Sequence, residues 1–190
     1  AATARFDYMV SPAFAVTTRL GFYRLEADLD TTTRDRLHDR TERTLLDGAV
    51  TGRLTLLDGR WKNSVTLYSN LVDRLFYAQN GANTSTSFTT SRFEGSRAGL
   101  EWQSDLTVRE VDRFTFGAKI EREAAEARDQ TNAAPVVNRF DEEQINRATF
   151  ALYQFNPVKA FTLTAAGRVD QFGPSGTYAT WRLSAAYRIA

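Results

Sequence analysis

The chain has 190 residues, 42% hydrophobic and 25% charged, with 24 basic and 23 acidic side chains and a net charge of +1. That balance gives no field to attract nucleic acid; the absence of cysteine excludes disulfide and thiolate chemistry, and a single histidine, His38, excludes a multi-histidine metal site. Its averages, with a mean hydropathy of −0.41, read as soluble and globular, and no apolar run nears the ~20 residues of a transmembrane helix.

A barrel strand crosses a membrane with only about 9–11 residues, half of which can be polar, so the order of residues decides more than their average. The N-terminal AATARFDYMV lacks the basic start and apolar core of a signal peptide. The first strand is expected from roughly Thr3 to Val10, with Ala4, Phe6, Tyr8 and Val10 on one face and Arg5 and Asp7 on the other. Ser11-Pro12-Ala13 makes a tight turn, because proline fixes φ and cannot donate to a ladder. The second strand, Phe14 to about Asp28, alternates Phe14, Val16, Leu20 and Phe22 with Thr17, Arg19 and Tyr23. Residues 30–43 are almost wholly polar and predict a long loop.

The third strand, about Thr44 to Leu56, sets Leu46, Val50, Leu54 and Leu56 against Asp47, Thr51, Arg53 and Thr55, and Asp58-Gly59 signals a hairpin. The fourth begins near Trp61 and continues toward Tyr77, with Val65, Leu67 and Leu71 on one face. A second long polar loop follows at 79–91. The fifth, about Phe93 to Val108, pairs Ala98, Leu100 and Trp102 against Arg97, Glu101, Gln103 and Asp105, and Arg109 to Arg113 is a short turn. The sixth starts at Phe114 and gives way to a third polar region, residues 123–141. Within it, the strong helix formers of residues 121–130 admit a short helix in a loop as an alternative to a strand continuing past the membrane.

The seventh strand, about Glu143 to Phe155, has less clean faces, and Asn156-Pro157 is expected to turn the chain. The eighth, FTLTAAGRVDQFG at 161–173, is the clearest: Phe161, Leu163, Ala165 and Val169 oppose Thr162, Thr164, Arg168 and Asp170. Gly173 to Gly176 reverses it, and the ninth, Tyr178 to Ile189, sets Trp181, Leu183, Ala185, Tyr187 and Ile189 against Thr180, Arg182, Ser184 and Arg188. About nine strands of roughly 10–15 residues follow, longer than the ~5–6 usual in soluble sheets. Short and long connections alternate as far as the seventh strand, matching the short periplasmic turns and long extracellular loops of outer-membrane barrels. The pattern therefore predicts an all-β, antiparallel transmembrane β-barrel in the outer membrane of a Gram-negative cell, with outer-membrane lipid as its surroundings. An odd strand count that starts outside the cell predicts an internal segment of a larger barrel, since complete bacterial barrels have even counts.

FTLTAAGRVDQFG, TWRLSAAYRIA at 180–190 and DRFTFGAKIERE at 112–123 resemble strands of the barrel of TonB-dependent outer-membrane receptors, especially the cobalamin and siderophore group. The likeness runs through most of the chain from about Arg60 on. It implies that residues 1–190 are a partial receptor barrel domain, nine strands of about 22. It further implies that the remaining strands and a plug come from the same receptor or another chain. The family's plug, any convincing TonB box and a terminal aromatic are not found here. By the same resemblance TonB acts through the plug and a small-molecule nutrient is carried; the alternative is a passive porin-like or structural outer-membrane barrel.

Several side chains invite a chemical reading. Glu26, Asp28 and Asp30, spaced by two, line one side of an extended segment; oxygen-rich clusters suit Ca²⁺, and a solvated strand end is the plainer reading. No other cofactor is expected. His38 sits among Arg34, Arg36, Asp39 and Arg40 and reads as a solvated loop residue. Arg168 and Asp170 are expected to pair with neighbouring strands inside a lumen, and Trp61, Trp102 and Trp181 to anchor the barrel at interfaces rather than stack on a ligand. No nucleophile–base pair, phosphate-binding glycine loop or metal-ligand spacing points to an enzyme.

Overall fold

Alternating side chains build one sheet in the computed structural model, which describes residues 1–29, 39–79, 87–132, 136–158 and 160–189. Nine strands lie in sequence order: β1 Ala2–Ser11, β2 Phe14–Asp28, β3 Arg40–Leu56, β4 Trp61–Gln79, β5 Phe88–Arg109, β6 Asp112–Thr131, β7 Val137–Val158, β8 Phe161–Phe172 and β9 Gly176–Tyr187. Every neighbouring pair is antiparallel. The sheet is a meander, whose strands are joined by local reversals that suit antiparallel pairing. The chain is all-β, one antiparallel sheet, as the alternation predicts.

The short turns form as their residues dictate. Ser11 Oγ accepts from the backbone N–H groups of Ala13 and Phe14 at 3.3 and 3.1 Å. In the β3–β4 hairpin, Leu57, Asp58 and Gly59 take φ of 53°, 54° and 88°, a left-handed run that glycine tolerates at no cost. A 3₁₀ turn, Gly173–Ser175, joins β8 to β9.

Two expectations are corrected and one pair of alternatives is decided. The third polar region is mostly strand, since β6 runs to Thr131 and β7 begins at Val137, and the first two are strand at their described edges, where β3 begins at Arg40, β4 runs to Gln79 and β5 begins at Phe88; residues 30–38 and 80–86 lie outside the described residues. Of the two readings of residues 121–130 the continuing strand holds, because β6 is laddered on both sides, to β5 and β7, and those cross-strand bonds override local propensity. Asn156-Pro157 does not turn the chain. Pro157 sits inside β7 at the irregularity between Phe155 and Val158, where its missing N–H interrupts no regular ladder bond.

Register assigns the faces, since residues directly opposite share one side. One face carries Phe22, Leu46 and Leu71 in successive strands, then Val50, Leu67, Leu100 and Ile120 in another row. These side chains are exposed, Leu67 at 60% and Trp181 at 83%. Among the described residues Ala148 is the one buried hydrophobic side chain, so the sheet has no core of its own.

Candidate functional site

The two faces differ in chemistry through the middle of the sheet. On the apolar face, charge is missing from Phe14–Phe22, Leu46–Leu56, Trp61–Leu71, Phe114–Ile120 and Phe161–Val169. Ten residue steps from Trp61 to Leu71 rise about 33 Å, or about 25 Å at a ~40° tilt, which matches the apolar band of an outer-membrane barrel. Toward the ends that carry the long connections, the same face turns charged at Arg24, Asp73, Glu94, Arg122 and Arg147. Here cross-strand ion pairs hold the ladder: Arg92 to Asp73 at 2.7 Å and Arg122 to Glu143 at 2.6 Å. The bond from Arg122 holds the Glu143 carboxyl below its ordinary range. These pairs explain why a region polar on both sides is still strand.

Opposite lies the polar face. Tyr68 donates to Glu121 Oε2 at 2.5 Å, and Lys119 Nζ lies 3.0 Å from the same carboxylate, which is 6% exposed. Arg97 reaches Glu121 at 3.8 Å and also pairs with Glu123, which accepts from Gln144 and Asn146 at 2.7 and 2.9 Å. Asp105 collects Thr115 at 2.6 Å and Arg113 at 3.1 Å, and Thr17 bridges Asp7 to Arg53. Glycines make room for this layer. A Cβ at Gly99 would stand 2.4 Å from the Tyr68 hydroxyl, and one at Gly117 would stand 2.4 Å from the Trp102 carbonyl and 2.6 Å from the Phe150 ring. A hollow of about 520 Å³ opens beside Asn70, Arg97, Glu123 and Gln144, edged by Pro174 of the β8–β9 turn.

The sequence-marked residues distribute as follows. Glu26 and Asp28 stand on the charged end of the apolar face, Glu26 opposite Glu42 and Asp28 opposite Arg40. Arg40 also lies 3.4 Å from Glu42, and Asp30 and His38 fall outside the described residues. Among the described residues no three potential ligands gather for a metal. Arg168 and Asp170 bond each other at 2.7 and 2.8 Å, two apart on one strand face, rather than neighbouring strands. Trp61, Trp102 and Trp181 all stand on the apolar face; Trp61 donates to Ser104 Oγ at 2.8 Å, and Trp102 meets Phe116 edge-on at 5.5 Å. Sequence reading did not single out Tyr68, Lys119 or Glu121. Their common parity was visible, but their meeting depends on register across β4, β5 and β6.

No protein-family model matches the sequence, and no curated protein matches it. Solved structures do. The ferric citrate transporter FecA in its unliganded form aligns with a TM-score of 0.71 at 12% identity, covering 99% of this chain and 33% of that one. The copper transporter OprC gives 0.72 at 12% identity over 96% and 32%, and FpvAI, from its complex with pyocin S2, gives 0.68 at 11% over 99% and 32%. The chain thus spans about a third of the length of the transporters and receptors it resembles. At these identities the likeness is one of fold: the barrel of outer-membrane transporters and receptors.

Proposed function

We propose that this chain is barrel wall from a TonB-energised outer-membrane receptor that takes up a scarce nutrient, such as cobalamin or an iron siderophore. The observation that supports it is a sheet with a charge-free band on one face and an ion-paired polar layer on the other, on a fold shared with FecA and OprC. In this reading the band meets outer-membrane lipid and the polar layer lines the lumen. The remaining strands and the plug come from the rest of the receptor or another chain, and TonB acts through the plug. No residue is assigned a catalytic role. Any Ca²⁺ would be held at the outer end by Glu26, Asp28 and Asp30; calorimetry on the complete receptor showing no Ca²⁺ binding removes it.

A passive porin-like barrel would share both faces, and energy dependence separates the two. Cells carrying the complete gene are expected to show saturable nutrient uptake that is lost when TonB is deleted. Uptake indifferent to TonB would overturn the receptor reading in favour of the passive one.

A further inference from the structure

One row of the polar face sets two unbound arginines side by side, whereas in the facing pair Arg5 and Arg19 the first is bound to Asp7. The row runs Leu25, Arg43, Arg74, Phe93, Ala127 and Phe140 across β2 to β7. Arg43 and Arg74 stand directly opposite each other, which places their Cβ atoms about 5 Å apart. Like charges so placed oppose folding. Other arginines of this face that lie beside a carboxylate are bound to it, among them Arg5, Arg97, Arg113 and Arg168. Among the described residues, Arg43 and Arg74 have neither an ion pair nor a side-chain hydrogen bond.

Among the described residues, their surroundings offer no neutralising group. Leu45 and Val72 lie one step along the same face in one direction, Thr41 and Phe76 in the other. Asp47, further along β3, packs its carboxylate where a Cβ of Gly21 would be, toward β2. Asp129 on β6 is bound to Arg139. Both arginines are solvent-exposed and lie at the level of Thr44 and Asp73, where the apolar band gives way to charge. Beside them, Phe93 and Phe140 pair at 6.2 Å between ring centroids.

We infer that Arg43 and Arg74 form an anion-binding subsite on the lumenal wall, one that takes a small polycarboxylate-type anion, with Phe93 and Phe140 as its apolar flank. Two guanidinium forks on adjacent strands match two carboxylates of one molecule bidentately, and a bound anion relieves their mutual repulsion. This rests on the receptor reading, which makes the polar face the ligand-facing one.

The test is calorimetry of citrate, a compact polycarboxylate probe, on the complete receptor at low ionic strength, where charge is least screened. Wild type is expected to bind citrate. Arg43→Gln and Arg74→Gln should each weaken binding at least tenfold, Arg74→Lys less than Arg74→Gln, and Arg60→Gln, on the opposite turn, should leave it unchanged. Circular dichroism verifies folding, and the milder Arg74→Lys carries the test if a glutamine variant misfolds. No citrate binding to wild type would overturn the inference, because a carboxylate elsewhere in the receptor then already neutralises the pair. Undiminished binding when Arg43→Gln and Arg74→Gln are combined would overturn it too. TonB-dependent uptake, measured separately, reports on the receptor reading alone, so either can fail without the other.

Discussion

Leu67→Arg is the sharpest test of the face assignment. Leu67 is 60% exposed, one residue past the middle of the Trp61–Leu71 band, between Val50 and Leu100. In water, replacing so exposed a leucine is close to neutral, within about 0.5 kcal/mol. In lipid, an arginine near the midplane costs about 2–4 kcal/mol, a shift of roughly 30- to 900-fold in the folding constant. Thr66 is one residue away on the polar face, bonded to Thr51 at 2.9 Å. Thr66→Arg should therefore cost no more than about 1 kcal/mol, the worth of that one hydrogen bond. The assay is urea unfolding of the complete barrel in lipid vesicles, with the slope held constant between variants so that midpoints report stability. Equal effects at 66 and 67, or a neutral Leu67→Arg, would show that this face does not meet lipid.

Other outcomes follow from the polar layer. Gly117→Ala drives a methyl group into the Trp102 carbonyl and Phe150 ring and should destabilise by about 1–3 kcal/mol, whereas Gly167→Ala, with nothing within 4 Å, should not; the same unfolding assay compares them. Tyr68→Phe removes a donor from the buried Glu121 carboxylate and should cost about 1–3 kcal/mol. Carbon-detected NMR should find the Glu143 carboxyl titrating below the ordinary glutamate value and returning to it in Arg122→Gln. That pair stabilises the fold above the unfolded glutamate pKa, and its contribution is lost as pH falls through the lowered folded value.

The strands were legible where the two faces differ. FTLTAAGRVDQF falls within one strand because apolar and polar residues alternate along most of it, and a period of two has no helical reading. The same rule gave no clear signal at 123–131 and 137–141, where polar residues fall on both faces and the ladder, with Arg122 bound to Glu143, keeps the chain extended. Side-chain partners were less legible than faces. Arg168 and Asp170 bind each other because alternate residues lie on one side at short reach. Tyr68, Lys119 and Glu121 meet across three strands, and their register is set by turns and irregularities such as the one between Thr107 and Arg109.

The exposed surface adds a last argument. The chain presents 13416 Å² to solvent. A globular monomer of its mass would present about 9,100 Å², so roughly 4,300 Å² must be covered by something else. Both edges, β1 and β9, are unpaired in the sheet, and one face exposes a charge-free, largely apolar band. Such a sheet alone in water would aggregate through its edges and its apolar side. Expressed alone, these 190 residues are therefore expected to be insoluble without detergent and to recover strand content only with lipid or detergent present. Ultracentrifugation and circular dichroism in plain buffer check this. A folded, monodisperse monomer there would refute the membrane assignment of the apolar face, and with it the lumenal assignment of the opposite one.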